Sequence, residues 1–258
     1  MRISNCLLGA AAGLALGANA LAAPILWIGD IDGQLGTVDV ATGNAAVIGS
    51  MGHVMTDIAF DPLGNLWGTD GSRLYQINAT TAASTLVGSI GPRFLNSLVF
   101  AGNGALYAAG SSLVTINTAT GAGTAVGVGN GFASSGDLAF VNGTLYLSSN
   151  APVADTLWSL DTGTGLGTQI GAIGSGAVYG LATADNSTLY GLSGRTVLSV
   201  DTATGAGTTV VSYANGLGEA FGTAFRTEAG APVPEPSVLS MFAIALAGVG
   251  VASRRRKA

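Results

Sequence analysis

Two aspartates occupy matching positions relative to a following phenylalanine, and their carboxylates could act at one site. Asp57 and Asp137 each lie three residues before a phenylalanine, Phe60 or Phe140, that ends a short apolar triplet. Two carboxylates at one site could hold a cation such as Ca²⁺, which prefers oxygen ligands. With Glu219 they form the acidic set that a metal-dependent hydrolase or lactonase would use. The alternative is that each aspartate caps a turn or meets water where a strand begins.

The residues that most other catalytic sites need are scarce. His53 is the only histidine, and the only cysteine, Cys6, lies in a segment that looks like a secretory signal. The exported body therefore lacks the ligands of a transition-metal cluster and a cysteine nucleophile. His53 has no accompanying Gly-x-Ser-x-Gly elbow. We expect His53 to be a loop residue and expect no cofactor.

The charge of the body limits its partners. The span from Ala23 to Glu235 contains four arginines, no lysine and all fourteen acidic residues, a formal charge of −10. Such an acidic surface argues against binding nucleic acid or anionic membranes. The composition is too apolar for a disordered chain.

A six-residue stretch that repeats along the chain organises the elements around these side chains. Its fifth copy is Val200–Gly205, and every copy has Asp or Asn at the second position. A period of about 40 residues indicates a repeat architecture. The five Asp and Asn residues are Asp39, Asn78, Asn117, Asp161 and Asp201.

The repeated stretch has the chemistry of a hairpin turn. The Asp or Asn oxygen can accept the backbone N–H two residues on, which stops a strand. A glycine at the sixth position, such as Gly43, can take the positive φ that the turn requires. The second copy has Ala82 there instead, so that turn is either strained or differently shaped.

The repeats predict a closed ring of strands. Each repeat contains four strand-like segments, A to D, but the body begins at a strand B, Leu26-Trp27, and ends with an extra strand A, Gly222–Phe225. A ring in which the last strand completes the first blade explains both ends. We therefore predict an all-β, five-bladed β-propeller of ~40-residue repeats over residues 23–226. An open β-solenoid and a β-sandwich are the alternatives.

In a propeller, the D–A and B–C loops share one face, where ligands usually bind. The polar candidates on that face are His53, Asp57, Arg73, Arg93, Asn96, Asp137, Arg195 and Glu219.

The N-terminus predicts export. Residues Met1–Ala22 combine Arg2, a short apolar run and small residues, a pattern typical of a signal helix that is cleaved between Ala22 and Ala23. The alternative is a first membrane helix, but the apolar run is short.

The C-terminus has a layered organisation. Residues 227–232 are expected to form a linker, followed by the four-residue motif Val233, Pro234, Glu235 and Pro236. An apolar run, Val238–Ala252, could form a transmembrane helix. The final cations should remain in the cytoplasm and leave the body outside; they are Arg254, Arg255, Arg256 and Lys257. A plain tail anchor is the alternative.

This ordered terminus, residues 233–258, resembles the PEP-CTERM sorting signal of Gram-negative bacteria. The resemblance implies recognition by an exosortase, a membrane-embedded cysteine protease, and removal of the tail. It also implies export in bacteria that make exopolysaccharide and biofilm matrix. The body resembles the Thr- and Gly-rich propeller repeats often found before such tails, which carry no assigned activity.

Together these patterns predict an exported, non-catalytic surface or matrix protein. The precursor would be anchored in the inner membrane, and the product would lie on the cell surface or outside the cell. The expected partners are the secretion machinery, the exosortase, the inner membrane through the transient helix, and an exopolysaccharide or another surface protein, with no nucleic acid. The alternative is a propeller hydrolase or lactonase that holds a metal with Asp57, Asp137 and Glu219.

Overall fold

The body of the chain is built from β-strands. A computed structural model describes residues 23–230; the signal and sorting segments expected at 1–22 and 231–258 lie outside the described residues. The strands form five four-stranded antiparallel sheets, so the predicted five-bladed propeller is confirmed. In chain order the strands are β1 (Ile25–Asp30), β2 (Gln34–Asp39), β3 (Ala45–Ser50), β4 (Asp57–Phe60), β5 (Leu66–Thr69), β6 (Arg73–Ile77), β7 (Ser84–Ser89), β8 (Ser97–Phe100), β9 (Leu106–Ala109), β10 (Leu113–Ile116), β11 (Gly123–Ala125), β12 (Ala133–Val141), β13 (Thr144–Ala151), β14 (Thr156–Leu160), β15 (Gly167–Ala172), β16 (Val178–Thr183), β17 (Leu189–Ser193), β18 (Thr196–Val200), β19 (Gly207–Ser212) and β20 (Ala220–Phe225).

The last strand closes the ring, as predicted. Blade 1 has the strand order β20-β1-β2-β3, whereas blades 2 to 5 each use four consecutive strands. The register pairs Leu26 with Phe225 and Gly29 with Gly222. Closure removes the open inner edge that blade 1 would otherwise expose.

The core consists of five apolar clusters, one at each interface between adjacent blades. An aromatic pair recurs at four of these interfaces, where a strand-B aromatic packs on the strand-A phenylalanine of the next blade. Trp27 meets Phe60 with ring centroids 5.2 Å apart, and Tyr190 meets Phe225 at 5.3 Å. The second pair joins blade 5 to blade 1, so the closing interface is packed like the others.

The repeated stretch forms the predicted turn at the outer end of each blade, between strands C and D. In the first copy, Asp39 Oδ1 accepts the N–H groups of Ala41 and Thr42 at 2.9 and 3.0 Å. Gly43 then takes a φ of 74° and donates its N–H to the carbonyl of Asp39. Ala82 takes a φ of 65°, so its turn keeps the same shape and the side chain carries the strain.

The end of the described chain covers one end of the propeller axis. Residues 226–230 form turns, in which the N–H of Glu228 donates to Phe225 and that of Gly230 to Thr227. The secondary structure of residues 23–230 includes no helix long and apolar enough to cross a membrane.

Candidate functional site

The two equivalent aspartates meet on the axis of the propeller. Asp57 begins β4 in blade 2, and Asp137 lies in β12 of blade 4; both are completely buried. Their carboxyl groups are in hydrogen-bonding contact with each other. The shared repeat position therefore brings the pair together across the ring.

The pair caps one backbone N–H from each of the five blades. Each donor is the second residue of a four-residue axial segment in the innermost strand of its blade. These segments are Asp57–Phe60, Ser97–Phe100, Asp137–Phe140, Gly180–Thr183 and Gly222–Phe225. Asp57 accepts the N–H groups of Ile58 (2.7 Å), Leu98 (2.5 Å) and Thr223 (3.3 Å). Asp137 accepts those of Leu138 (2.6 Å) and Leu181 (2.7 Å), and also the Thr223 hydroxyl (2.8 Å). These N–H groups lie on the inner edges of the sheets, where no further strand can pair with them.

Blades 1 and 5 have glycine where blades 2 and 4 have aspartate, and the glycines make room for the pair. A Cβ on Gly222 would lie 2.5 Å from the Cα of Asp57. A Cβ on Gly180 would lie 2.7 Å from the methyl group of Thr223. The sequence difference between blades is thus a packing requirement, since five aspartates could not occupy one axis.

Burial raises the pKa of both aspartates well above their usual range. For Asp57, the negative charge of Asp137 and the hydrogen bond between them raise the pKa further. For Asp137, burial is again the main cause, while hydrogen bonds from Asp57, Leu181 and Thr223 offset it in part. Like charges in contact cannot both ionise freely, so at least one of the two carboxyl groups stays protonated.

This geometry defines what the pair can do. The carboxylate oxygens of the pair already accept hydrogen bonds from the protein, and neither side chain is exposed. The third member of the predicted metal set, Glu219, is exposed on a loop, where its carbonyl accepts the N–H of Ile31. Among residues 23–230, no three His, Cys, Asp or Glu side chains are grouped closely enough to hold a metal ion.

Above the pair, the axis opens into a depression that we call the mouth. Its volume is about 180 Å³. All five blades line the mouth, each with the residue that precedes its axial segment. Tyr179 and Phe221 form an edge-to-face aromatic pair with centroids 5.9 Å apart. The lining residues are Thr56, Phe94, Asn96, Ser135, Gly136, Tyr179 and Phe221.

The side chains at the mouth are held by the loops around them. Asn96 donates from Nδ2 to the carbonyl of Ser134 at 3.1 Å, which leaves its oxygen and one N–H group for a ligand. The Phe94 ring lies against Gly71, where any side chain would overlap it. Phe94 is nevertheless 65% exposed. It stands at the edge of the mouth as a fixed apolar surface.

The other polar candidates do not line the mouth. His53 is exposed and stacks on Tyr75, with ring centroids 5.0 Å apart. Arg73 forms an exposed ion pair with Asp70 at 3.7 Å. Arg93 and Arg195 are also exposed. The structure thus brings together Asp57, Asp137 and Asn96 on the axis and leaves the rest apart.

A third carboxyl group enters the axis from the opposite end, which we call the bottom. Glu228 Oε2 accepts the N–H of Phe225 at 3.5 Å, and Oε1 has no partner among the described residues although it is enclosed. Burial, followed by the charge of Asp137, raises the pKa of Glu228. Its neighbour Thr183 stands where the strands A of the other blades have phenylalanine.

Sequence reasoning missed the aromatic residues of the mouth and Glu228. Tyr179 and Phe221 occupy the position before Gly180 and Gly222, and the same alignment that paired the aspartates would have found them. Glu228 gave no such signal, because it belongs to no repeat. It falls in the stretch assigned from sequence to a linker.

Outside the propeller, residues 232–257 match the family described as "PEP-CTERM protein-sorting motif". The chain carries a PEP-CTERM sorting motif. The motif implies processing by an exosortase and export through a membrane-anchored precursor to the cell surface. Its individual residues, from Val233 to Lys257, lie outside the described part, as do the signal segment and Ala22; Ala23 is the first described residue.

Solved structures share the fold at low sequence identity. A chain of the nidogen/laminin complex aligns with a TM-score of 0.54 and 15% identity over 78% of this chain and 80% of that one. A protein of unknown function from Bacteroides thetaiotaomicron gives 0.53 and 10% over 82% and 66%. The gluconolactonase XC5397 of Xanthomonas campestris gives 0.51 and 16% over 78% and 79%. No curated protein matches the chain. These likenesses concern the fold alone.

Proposed function

We propose that the protein is a non-catalytic binding module of the cell surface or extracellular matrix, and that it contacts its partner through the mouth. One observation carries this proposal. The open, aromatic end of the axis lies on the face opposite to the one from which both ends of the described chain leave.

The strand register places both ends of the described chain at the bottom, opposite to the mouth. Leu26, near the start of β1, pairs with Phe225 at the end of β20, so the first and last strands meet at the bottom. Gly230 lines the bottom depression with Glu228. Fewer than ten residues separate Gly230 from the apolar run at Val238, a reach of at most about 3.5 Å per residue. We infer that the bottom faces the membrane in a membrane-anchored precursor and that the mouth faces outward.

The axial carboxyl pair supports a non-catalytic role. A general acid or base must reach a substrate within about 3 Å. Asp57 and Asp137 are enclosed, and their oxygens accept N–H groups from all five blades. The gluconolactonase likeness adds no activity, because it shows the fold alone.

The proposed setting follows from the sorting motif. A Gram-negative host would export the precursor, and its exosortase would remove the tail. The released body would then be retained in the exopolysaccharide or biofilm matrix, or by another surface protein. Retention requires a contact surface, and we infer that the mouth provides it.

Fractionation of an exosortase-bearing host tests the proposal. We expect wild type in the surface or matrix fraction, and the double variant Tyr179→Ala/Phe221→Ala in the free medium with its melting temperature nearly retained. Leu63→Ala, which alters an 85% exposed side chain on the bottom, serves as the matched control and should fractionate as wild type. Glu235→Ala should trap the uncut precursor in the membrane.

Two outcomes would contradict the proposal. If the mouth variant stays in the surface fraction, the mouth is not the contact. If the purified protein hydrolyses lactones or esters, and Asp57→Asn abolishes this activity, then the axial pair is catalytic.

A further inference from the structure

The mouth itself indicates the chemistry of its ligand. Apart from Tyr179, none of the residues that line it is ionisable. An ionic ligand placed there would lose hydration and gain no counter-ion, which is costly. The acidic body adds a general repulsion for anions, since residues 23–230 contain thirteen acidic residues and four arginines. The lining therefore favours a neutral group.

The volume limits the size of the bound group. At about 180 Å³, the mouth is smaller than the roughly 300–1,000 Å³ of pockets that hold a drug-sized molecule. It has room for about one six-membered ring. A longer ligand would continue outward across the face, because the mouth is open to solvent on one side.

The lining combines flat apolar surfaces with hydrogen-bonding groups. Tyr179, Phe221 and Phe94 offer ring faces and edges, while Asn96 offers a free amide oxygen and one N–H. Ser135, which carries a hydroxyl group, also lines the mouth. A pyranose ring has the complementary surface, with C–H groups on its faces and hydroxyl groups around its rim.

A peptide side chain fits this lining less well. A phenylalanine or leucine side chain would pack against Tyr179 and Phe221 but would cover Asn96 and Ser135 without partners. Burying polar groups without hydrogen bonds weakens binding. A sugar hydroxyl satisfies those groups, and sites built around hydroxyl groups reject analogues that lack them.

We propose that the mouth binds one neutral pyranose ring, as a free glycoside or as a unit of a neutral polysaccharide. This inference rests on the proposed function, because it names the ligand of the same contact surface. It does not require the ligand to be the matrix that retains the protein.

Saturation-transfer NMR and calorimetry on the purified exported protein test the inference. The probes are the methyl glycosides of glucose, galactose and mannose, with galacturonate as the charged analogue and N-acetylphenylalanine amide as the peptide analogue. We expect at least one neutral glycoside to bind, and galacturonate and the amide to bind at least about tenfold more weakly.

Variants locate the binding. Tyr179→Ala/Phe221→Ala should weaken glycoside binding at least about tenfold, because each stacked ring contributes beyond its buried area. Phe94→Ala, which alters a side chain that is 65% exposed, provides a second test in case the double variant does not fold. Leu63→Ala should bind as wild type.

Three results would overturn the inference: no neutral glycoside binds, the amide binds better than every glycoside, or glycoside binding survives both mouth variants. The proposed function fails independently of these results. If no glycoside binds but the mouth variant is still released from the surface fraction, only the sugar assignment is wrong. If glycosides bind but the variant remains on the surface, only the retention role is wrong.

Discussion

Aspartates accept backbone N–H groups both at the rim of the propeller, where the turns between strands C and D lie, and on its axis. The two regions differ in how far apart in sequence the donor and acceptor are. At the rim, Asp39 and its counterparts accept N–H groups two and three residues along their own turn. At the axis, Asp57 accepts an N–H 41 residues away and another 166 residues away. In both places a carboxylate satisfies backbone donors that strand pairing leaves free.

The comparison shows where repeat symmetry holds and where it must break. Each rim turn can be satisfied within its own blade, so all five copies keep an Asp or Asn. The five axial donors converge on one small volume, so two aspartates serve all five and glycines or serine fill the other positions. Substitutions at the axis should therefore act on the whole ring, and those at the rim on one turn.

Removing the closing strand should have the largest effect. Truncation after Gly218 removes β20, and with it Thr223, which bonds to both axial aspartates. Blade 1 then exposes an inner edge, and we expect aggregation or loss of the cooperative melting transition. A matched truncation after Gly230 should melt like the full chain. If the shorter chain also melts like the full chain, β20 does not close the ring.

Matched aspartate substitutions should separate axis from rim. Asp57→Ala leaves buried N–H groups of three blades and the Asp137 carboxyl without their partner, at a cost of about 1–3 kcal/mol for each unsatisfied group. Asp39→Ala loses a capping contact in one exposed turn, at a cost of about 1 kcal/mol. Urea unfolding monitored by circular dichroism measures both. Equal losses would remove the distinction between the two regions.

The axial pair should make stability fall as the pH rises. Burial raises the pKa of Asp137 from 3.8 to about 8, so the folded state holds a proton that the unfolded state has released. The stabilisation is complete below the unfolded pKa and is lost as the pH rises through the folded one. Unfolding free energies measured by urea titration at pH 5, 6.5 and 8 should therefore decline, and the decline should be shallower in Asp137→Asn. A rise across this range in wild type would contradict the raised pKa of the axial pair.

The smallest effect is expected at the rim turn that lacks glycine. Ala82 holds a φ of 65°, which costs an L-residue about 1–2 kcal/mol. Ala82→Gly should relieve this strain but lose buried methyl contacts, so we expect a net gain of under about 1 kcal/mol and a slightly higher melting temperature. Gly43→Ala is the reverse test and should destabilise, since its Cβ would lie 2.5 Å from the Ser212 carbonyl. If Ala82→Gly lowers the melting temperature, the turn is not strained.

The sequence predicts the propeller because its signals are local and repeated. The Asp/Asn turns, the apolar triplets and the orphan strand Gly222–Phe225 each follow from short-range chemistry. Ring closure could be inferred because the body begins at a strand B and ends at a strand A. The sequence does not distinguish a strained turn at Ala82 from a differently shaped one, since both are compatible with the same residues.

The axial site was only partly accessible from sequence. Repeat alignment links Asp57 with Asp137, but their raised pKa values depend on burial. Glu219 was grouped with them because of its charge and its loop, whereas its side chain is exposed away from the axis. Glu228 takes its place on the axis only because the terminal turns fold back over the bottom.

A calcium titration followed by thermal melting tests most directly whether the axial pair is a structural cap. The oxygens of Asp57 and Asp137 already accept five N–H groups and a hydroxyl, which leaves an ion no free ligand there. We therefore predict that millimolar calcium and a chelator both leave the melting temperature unchanged. A calcium-dependent rise would contradict the account, provided that Asp57→Asn and Asp137→Asn abolish it, because the pair would then be an ion site.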